Sequence, residues 1–173
     1  MNVSALEEYG LRCAVRLAAL PEGQTLSAPE IAESEGLSVE YVSKFMLLLK
    51  RAGLVKANRG INGGFALSKK PSEISLKEVF ESLAGKRKFA GSSTSEFDHE
   101  FCNSFSGKSS SCVRSSDCSI RPFWKVLSMY IEAFTHEMTL ADLLKPENET
   151  LAKTELIARK NVESLRGSEW GRA

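Results

Sequence analysis

The 173-residue chain has no apolar run long enough to cross a membrane, which sets aside membrane-spanning functions. Its opening stretch, MNVSALEEYGLRCAVRLAAL, interrupts the apolar pattern with acids and arginines, so it does not read as a signal peptide. The expected compartment is therefore cytoplasmic, where structural disulfides are rare. Histidine occurs only at His99 and His136, and the four cysteines include no Cys-x2-Cys pair. No Gly-rich phosphate cradle and no nucleophile–base arrangement appears, so an enzyme is not expected. An excess of one charge is lacking too: 23 basic residues against 22 acidic ones leave a net charge of +1.

That balance is uneven along the chain. Between Ser38 and Lys70 stand seven basic residues (Lys44, Lys50, Arg51, Lys56, Arg59, Lys69, Lys70) and one acid, Glu40, a local charge of +6 that leaves −5 for the remainder. A near-neutral protein with its positive charge gathered on one segment is suited to meeting a polyanion there. The same segment, SVEYVSKFMLLLKRAGLVKANRGINGGFAL, reads as a helix, a glycine break and two short strands. Ser38 is an N-cap, since its hydroxyl can accept from an orphaned helix amide. Val42, Phe45, Met46 and Leu49 recur at helical spacing as a core face, and Ser43, Lys44, Leu47, Lys50 and Arg51 occupy the other side. Gly53 ends the helix, Leu54–Ala57 and Gly64–Leu67 are strand-like, and Gly60, Gly63 and Gly64 mark the turn. A short helix fits a major groove, and a hairpin carrying Arg59 can reach a neighbouring narrow groove.

The rest of the chain frames this segment. An amphipathic helix is expected from Ser4 to Leu20, and Ser27-Ala-Pro-Glu30 has the spacing of a capping box ahead of a short helix ending at Gly36. Two helices joined by a short Gly-containing turn, the second of them basic, form a helix-turn-helix, and the hairpin makes it winged. Ser75–Ala84 reads as a further helix, with Val79, Phe80 and Leu83 closing the core. From Ser92 to Ser116 ten of 25 residues are serine, a composition that cannot bury enough apolar surface to order itself. Order returns at Ser119 in a long helix to about Met138, whose stripe of Phe123, Leu127, Tyr130, Phe134 and Met138, widened by Ile120, Trp124 and Ile131, suits a dimer interface, a core helix packed within one chain, or both on different parts of its face. Thr139–Leu144 is a capped turn or short helix. Beyond Pro146 a charged tail has weak helical periodicity at Leu151, Ala158, Val162 and Leu165, with fraying expected. The fold expected is mainly α with a small β-hairpin wing, a winged helix-turn-helix plus a long dimerisation helix. Its divisions are a DNA-binding domain (1–85), a cysteine-containing sensor loop (86–119), the dimerisation helix with its closing turn (120–144) and the tail (145–173).

The serine-rich segment carries Cys102-x9-Cys112-x5-Cys118. Three cysteines on one loop can wrap an iron–sulfur cluster, which prefers thiolate ligands. The spacing alone also suits a thiol switch or a zinc site. Cys13, on the apolar face of the first helix, reads as a small core residue.

These pieces together resemble the Rrf-two family of bacterial winged-helix transcription factors, which includes the IscR and NsrR types. The matching stretches are the first helix with Tyr9, EIAESEGLSVEYVSKF, the AGLVKANRGINGGFALSK wing, ISLKEVFESLAG, the cysteine loop and TLADLL, covering roughly residues 1–144. The resemblance implies homodimers acting on palindromic promoter sites in double-stranded DNA. It places Arg59 in the minor groove, supported by the Gly60, Gly63 and Gly64 backbone. Ser38, Tyr41, Ser43 and Lys44 would lie at the groove-facing start of the recognition helix. It implies a 2Fe-2S or 4Fe-4S cluster on Cys102, Cys112 and Cys118, with Glu8 of the partner subunit as fourth ligand and His99 and Asp117 as local competitors. Some members place a histidine three residues after the third cysteine, where this chain has Arg121. Many have Glu-Gln where it has Ser43-Lys44, so a target sequence does not carry over. The alternatives are a winged-helix regulator with a thiol switch or zinc in place of the cluster, and a cluster-dependent partner-binding protein.

Overall fold

Two serines start the first two helices in the same way. Ser4 accepts from the Glu7 amide through its hydroxyl (3.3 Å), and the Glu7 carboxylate accepts in return from the Ser4 amide (2.9 Å). Ser27 and Glu30 repeat the exchange at 3.4 and 2.7 Å. Each reciprocal pair satisfies two amides that a helix start would otherwise leave orphaned. The computed structural model describes residues 3–58, 60, 63–84, 108, 112–114 and 116–167. Helix α1 spans Ala5–Ala18 and α2 spans Ala28–Glu35. Gly36, at φ +65°, turns the chain into Ser38, which caps α3 (Val39–Arg51) by accepting from the Tyr41 amide at 3.3 Å.

The apolar spacing of α3 becomes the centre of the core. Val42, Phe45, Met46 and Leu49 are wholly inaccessible, packed with Cys13, Ala14 and Leu17 of α1 and Ile31 of α2. Burying a side chain such as Phe45 contributes about 1.5–3 kcal/mol. Arg12 ties α1 to α2: its Nε lies 3.0 Å from the Glu35 carboxylate, and its Nη2 donates to the Glu35 carbonyl at the end of α2 (2.8 Å). That second bond occupies one of the carbonyls a helix end leaves open.

The hairpin pairs β1 (Val55–Asn58) antiparallel with β2 (Gly64–Leu67), Val55 opposite Leu67 and Asn58 opposite Gly64. The first strand begins one residue later than its hydropathy suggests: the Leu54 amide donates to the Leu49 carbonyl at the end of α3 (3.0 Å). Leu26 and Phe65 exchange two backbone hydrogen bonds (3.1 and 2.7 Å), which fix the hairpin to the residue just ahead of the α2 cap. Gly64 allows this approach, since a Cβ there would stand 2.6 Å from the Leu26 carbonyl.

Helix α4 (Leu76–Ala84) places Val79 and Leu83 in the core against α1 and α3. The closing segment then returns to it: Leu76 donates to the Met138 carbonyl (2.8 Å) and Leu140 to that of Ile74 (3.0 Å). Met138 and Leu140 therefore share the core of the helix-turn-helix. Between these pieces lies α5 (Ile120–Glu137), the long helix expected from sequence.

The tail differs from its expectation. Residues 147–167 form one regular helix, α6 (Glu147–Gly167), and it docks on α5. Ile157 and Asn161 are buried, Lys153 pairs with the buried Asp142, and Lys160 pairs with Glu137 at 3.0 Å. Leu151 and Val162, the apolar positions that suggested a weak helix, face away and are exposed. Ile157 apart, the contact is made by polar and charged residues, so the periodicity of Leu151 and Val162 points to the wrong face.

Candidate nucleic-acid interface and cysteine segment

The side of α3 away from the core is basic. Ser43, Lys44, Leu47, Lys50 and Arg51 are all exposed. Lys44, Lys50 and Arg51 form no ion pair with any acid among the described residues, and neither does Lys56 on β1. Lys69, by contrast, pairs with Glu78 at 3.3 Å. Unpaired surface cations are the groups that can replace counterions along a phosphate backbone. Tyr41 is 47% exposed, and its ring stands edge-on to Phe45 with centroids 5.5 Å apart, so the rigid core braces it. Ser38 is exposed and spends its hydroxyl on the cap.

In the hairpin, Gly60 adopts φ +118°, a conformation that L side chains rarely take. Gly63 donates to the Gly60 carbonyl (2.9 Å), and a Cβ on Gly63 would meet the carbonyls of Asn58 and Gly60 at 2.7 Å. With Gly64 held against Leu26, the three glycines expected to support the wing each have a local steric reason. Arg59, the residue expected at the tip, lies outside the described residues.

The cysteine segment is described in part. Cys112 and Cys118 are free and half-buried, and Cys118 stands two residues before α5 begins. Cys102 and His99 lie outside the described residues. Two accessible thiols are soft donors of the kind a cluster uses, so this part of the donor set fits. Glu8 is exposed on α1. Among the described residues no group of three or more His, Cys, Asp or Glu side chains converges, so Glu8 does not meet Cys112 and Cys118 within one chain. Cys13 is wholly buried, as expected of a core residue. Burial first, and the nearby Glu35 charge second, push its thiol up to about 11, so it stays protonated at neutral pH.

Sequence reasoning allowed part of α5 to pack within its own chain but missed the polar residues that do so. Lys125 is its buried residue, Glu132 pairs with Lys77 of α4, and Thr135 lines the same small cleft with Phe80. Lys125, Ser128, Glu132 and Thr135 fall at helical spacing, and that periodicity is the signal that marks this face. Of its apolar residues Phe134 packs against the core, while Ile120 is 49%, Phe123 61% and Trp124 42% exposed.

Comparison with known proteins agrees with this geometry. A family model described as an iron-dependent transcriptional regulator, Rrf2, matches residues 3–146. Among solved structures, IscR of T. potens is similar at 27% identity over 83% of this chain and 86% of that one, with a TM-score of 0.61. CymR (YrzC), the global cysteine regulator of B. subtilis, is 22% identical over 83% and 95%, with a TM-score of 0.63. The oxidized form of Staphylococcus aureus CymR is 23% identical over 81% and 93%, with a TM-score of 0.58. The likeness to the two CymR proteins is one of fold. Among the described residues no helix is long and apolar enough to cross a membrane. The winged helix-turn-helix, its basic outer helix and the family match lead to one conclusion: the chain belongs to the Rrf2 family and is a DNA-binding transcriptional regulator, not an enzyme.

Proposed function

We propose that this regulator works in the bacterial cytoplasm as a homodimer on a palindromic promoter site, and that the state of its cysteine segment governs DNA binding. The observation that carries this reading is the exposed apolar surface of α5. The helix meets its own chain through Lys125, Glu132 and Phe134 and leaves Ile120, Phe123 and Trp124 in water. A second copy covering that face would fix the distance between two α3 helices, as paired half-sites require. Ser38, Tyr41, Ser43 and Lys44 then address the major groove. Arg59, on a hairpin shaped by Gly60, Gly63 and Gly64, addresses the minor groove.

In this reading Cys102, Cys112 and Cys118 hold an iron–sulfur cluster, 2Fe-2S or 4Fe-4S, with the partner subunit's Glu8 as fourth ligand. Such a cluster supplies a centre sensitive to oxygen, nitric oxide or iron supply. The chain's own part is mechanical. Ordering the backbone from Cys102 to Cys118 costs about 1–2 kcal/mol per residue. A structural metal returns about 10–16 kcal/mol in zinc peptides, a comparable scale. Because Cys118 adjoins α5 and Glu132 joins α5 to α4, the state of the segment is transmitted to the helix-turn-helix core.

The half-buried thiols of Cys112 and Cys118 also suit a second reading, a thiol switch without a cluster. Anaerobic purification with visible absorption, iron and sulfide analysis separates the two. Coloured protein with matched iron and sulfide supports the cluster. A colourless protein that rebuilds none, and whose cysteines pair after mild oxidation, supports the switch.

A further inference from the structure

Leu47 stands in the middle of the outer face of α3. It lies two residues from Phe45 and two from Leu49, both wholly buried, and at 100° per residue this turns it nearly opposite the core. Lys44, three residues before it, and Arg51, four residues after it, flank it on the same face, and both are exposed. The leucine is 47% exposed. An isolated surface leucine needs no explanation by itself. This one is framed by two cations on the face of the helix that a helix-turn-helix presents to the major groove.

From this placement we infer that Leu47 is a specificity-determining residue that reads the C5-methyl group of thymine; the inference rests on the DNA-binding reading of α3. A leucine side chain offers no hydrogen-bond donor or acceptor to a base edge. Of the groups displayed in the major groove, only the thymine methyl is apolar. Cytosine in the same place has a bare C5–H beside an amine that would lose its water against the leucine without a replacement partner. The charges of Lys44 and Arg51 to either side draw the helix to the phosphate-lined groove and hold it in register. Leu47 therefore favours a thymine at one fixed position in each half-site.

The test begins by enriching duplexes from a random library with the full-length protein, purified anaerobically. Each thymine of an enriched site is then replaced singly by deoxyuracil, which removes the methyl group and nothing else. One position per half-site is expected to lose about fourfold in affinity, the ratio that one buried methyl group carries. Leu47→Ser is expected to erase that loss while leaving helical content and the salt dependence of binding unchanged. Lys44→Ala should lower the salt slope by about one and retain the uracil effect. Enriched sites with no uracil-sensitive thymine, or with a sensitivity that Leu47→Ser does not alter, would overturn the assignment of Leu47 and leave DNA binding standing. Failure to enrich any duplex would overturn both.

Discussion

Glu132 of α5 and Lys77 of α4 form an ion pair in which both side chains are largely shielded from solvent. The hydrogen bond that the Lys77 ammonium donates to the Glu132 carboxylate holds its pKa above the usual range. The pair is the polar link between the long helix and the helix-turn-helix core. Glu132→Gln should lower stability by about 1 kcal/mol, the scale of a partly exposed pair. It should also narrow the difference in operator affinity between protein with an intact cysteine centre and protein without it. Denaturant titration gives the first quantity and binding titrations of both forms give the second. An unchanged difference would remove Lys77–Glu132 from the route.

The outward face of α5 predicts a separation-of-function variant. Phe123→Glu alters a side chain that is 61% exposed in one chain, so the fold should persist. Sedimentation should show a monomer, and operator affinity should fall at least tenfold, about 1.4 kcal/mol.

The third prediction concerns the seam between the closing turn and α6. Burial of the Asp142 carboxyl disfavours its charge. Hydrogen bonds from Lys153 and from the Thr139 hydroxyl (2.8 Å) and amide (3.0 Å) outweigh that and bring it to about 2, from an ordinary value of 3.8. A carboxyl lowered on folding stabilises the protein above its unfolded value and loses that contribution as the pH falls through the folded one. Asp142 should therefore contribute about 2 kcal/mol at neutral pH, lost between about pH 4 and pH 2. Asp142→Asn should flatten that part of the stability profile, as read by chemical denaturation at a series of pH values. An identical profile for the variant would contradict the assignment.

Gly64 gives a steric prediction. A methyl group there meets backbone, the Leu26 carbonyl at 2.6 Å, and so has no flexible neighbour to displace. Gly64→Ala should cost about 1–3 kcal/mol and weaken duplex binding by misplacing the hairpin. Wild-type stability and affinity would mean that the Leu26–Phe65 bridge does not hold the wing.

Several of these features were legible in the sequence because they rest on local rules. The capping boxes at Ser4 and Ser27 follow from residue spacing, and the core face of α3 from a clean apolar period over Val42, Phe45, Met46 and Leu49. The outer surface of α3 could be read from the same pattern. Helix α6 was legible only as a weak helical period, because Lys153, Asn161 and Lys160 dock it beside Ile157 while Leu151 and Val162 face outward. A largely polar contact leaves little hydropathy signal. The cysteine segment is a different case: its serine-rich composition carries no apolar period, and only Cys112 and Cys118 of its three thiols fall among the described residues.

The central claim is that two chains, paired through α5, present two α3 helices to one duplex. Its most direct measurement is the stoichiometry of the protein on an enriched operator duplex, by sedimentation velocity, for wild type and Phe123→Glu. The account predicts two chains per duplex for the wild type and no stable complex for the variant at the same concentration. A single chain bound at full affinity, or a variant that still binds two to a duplex, would contradict it.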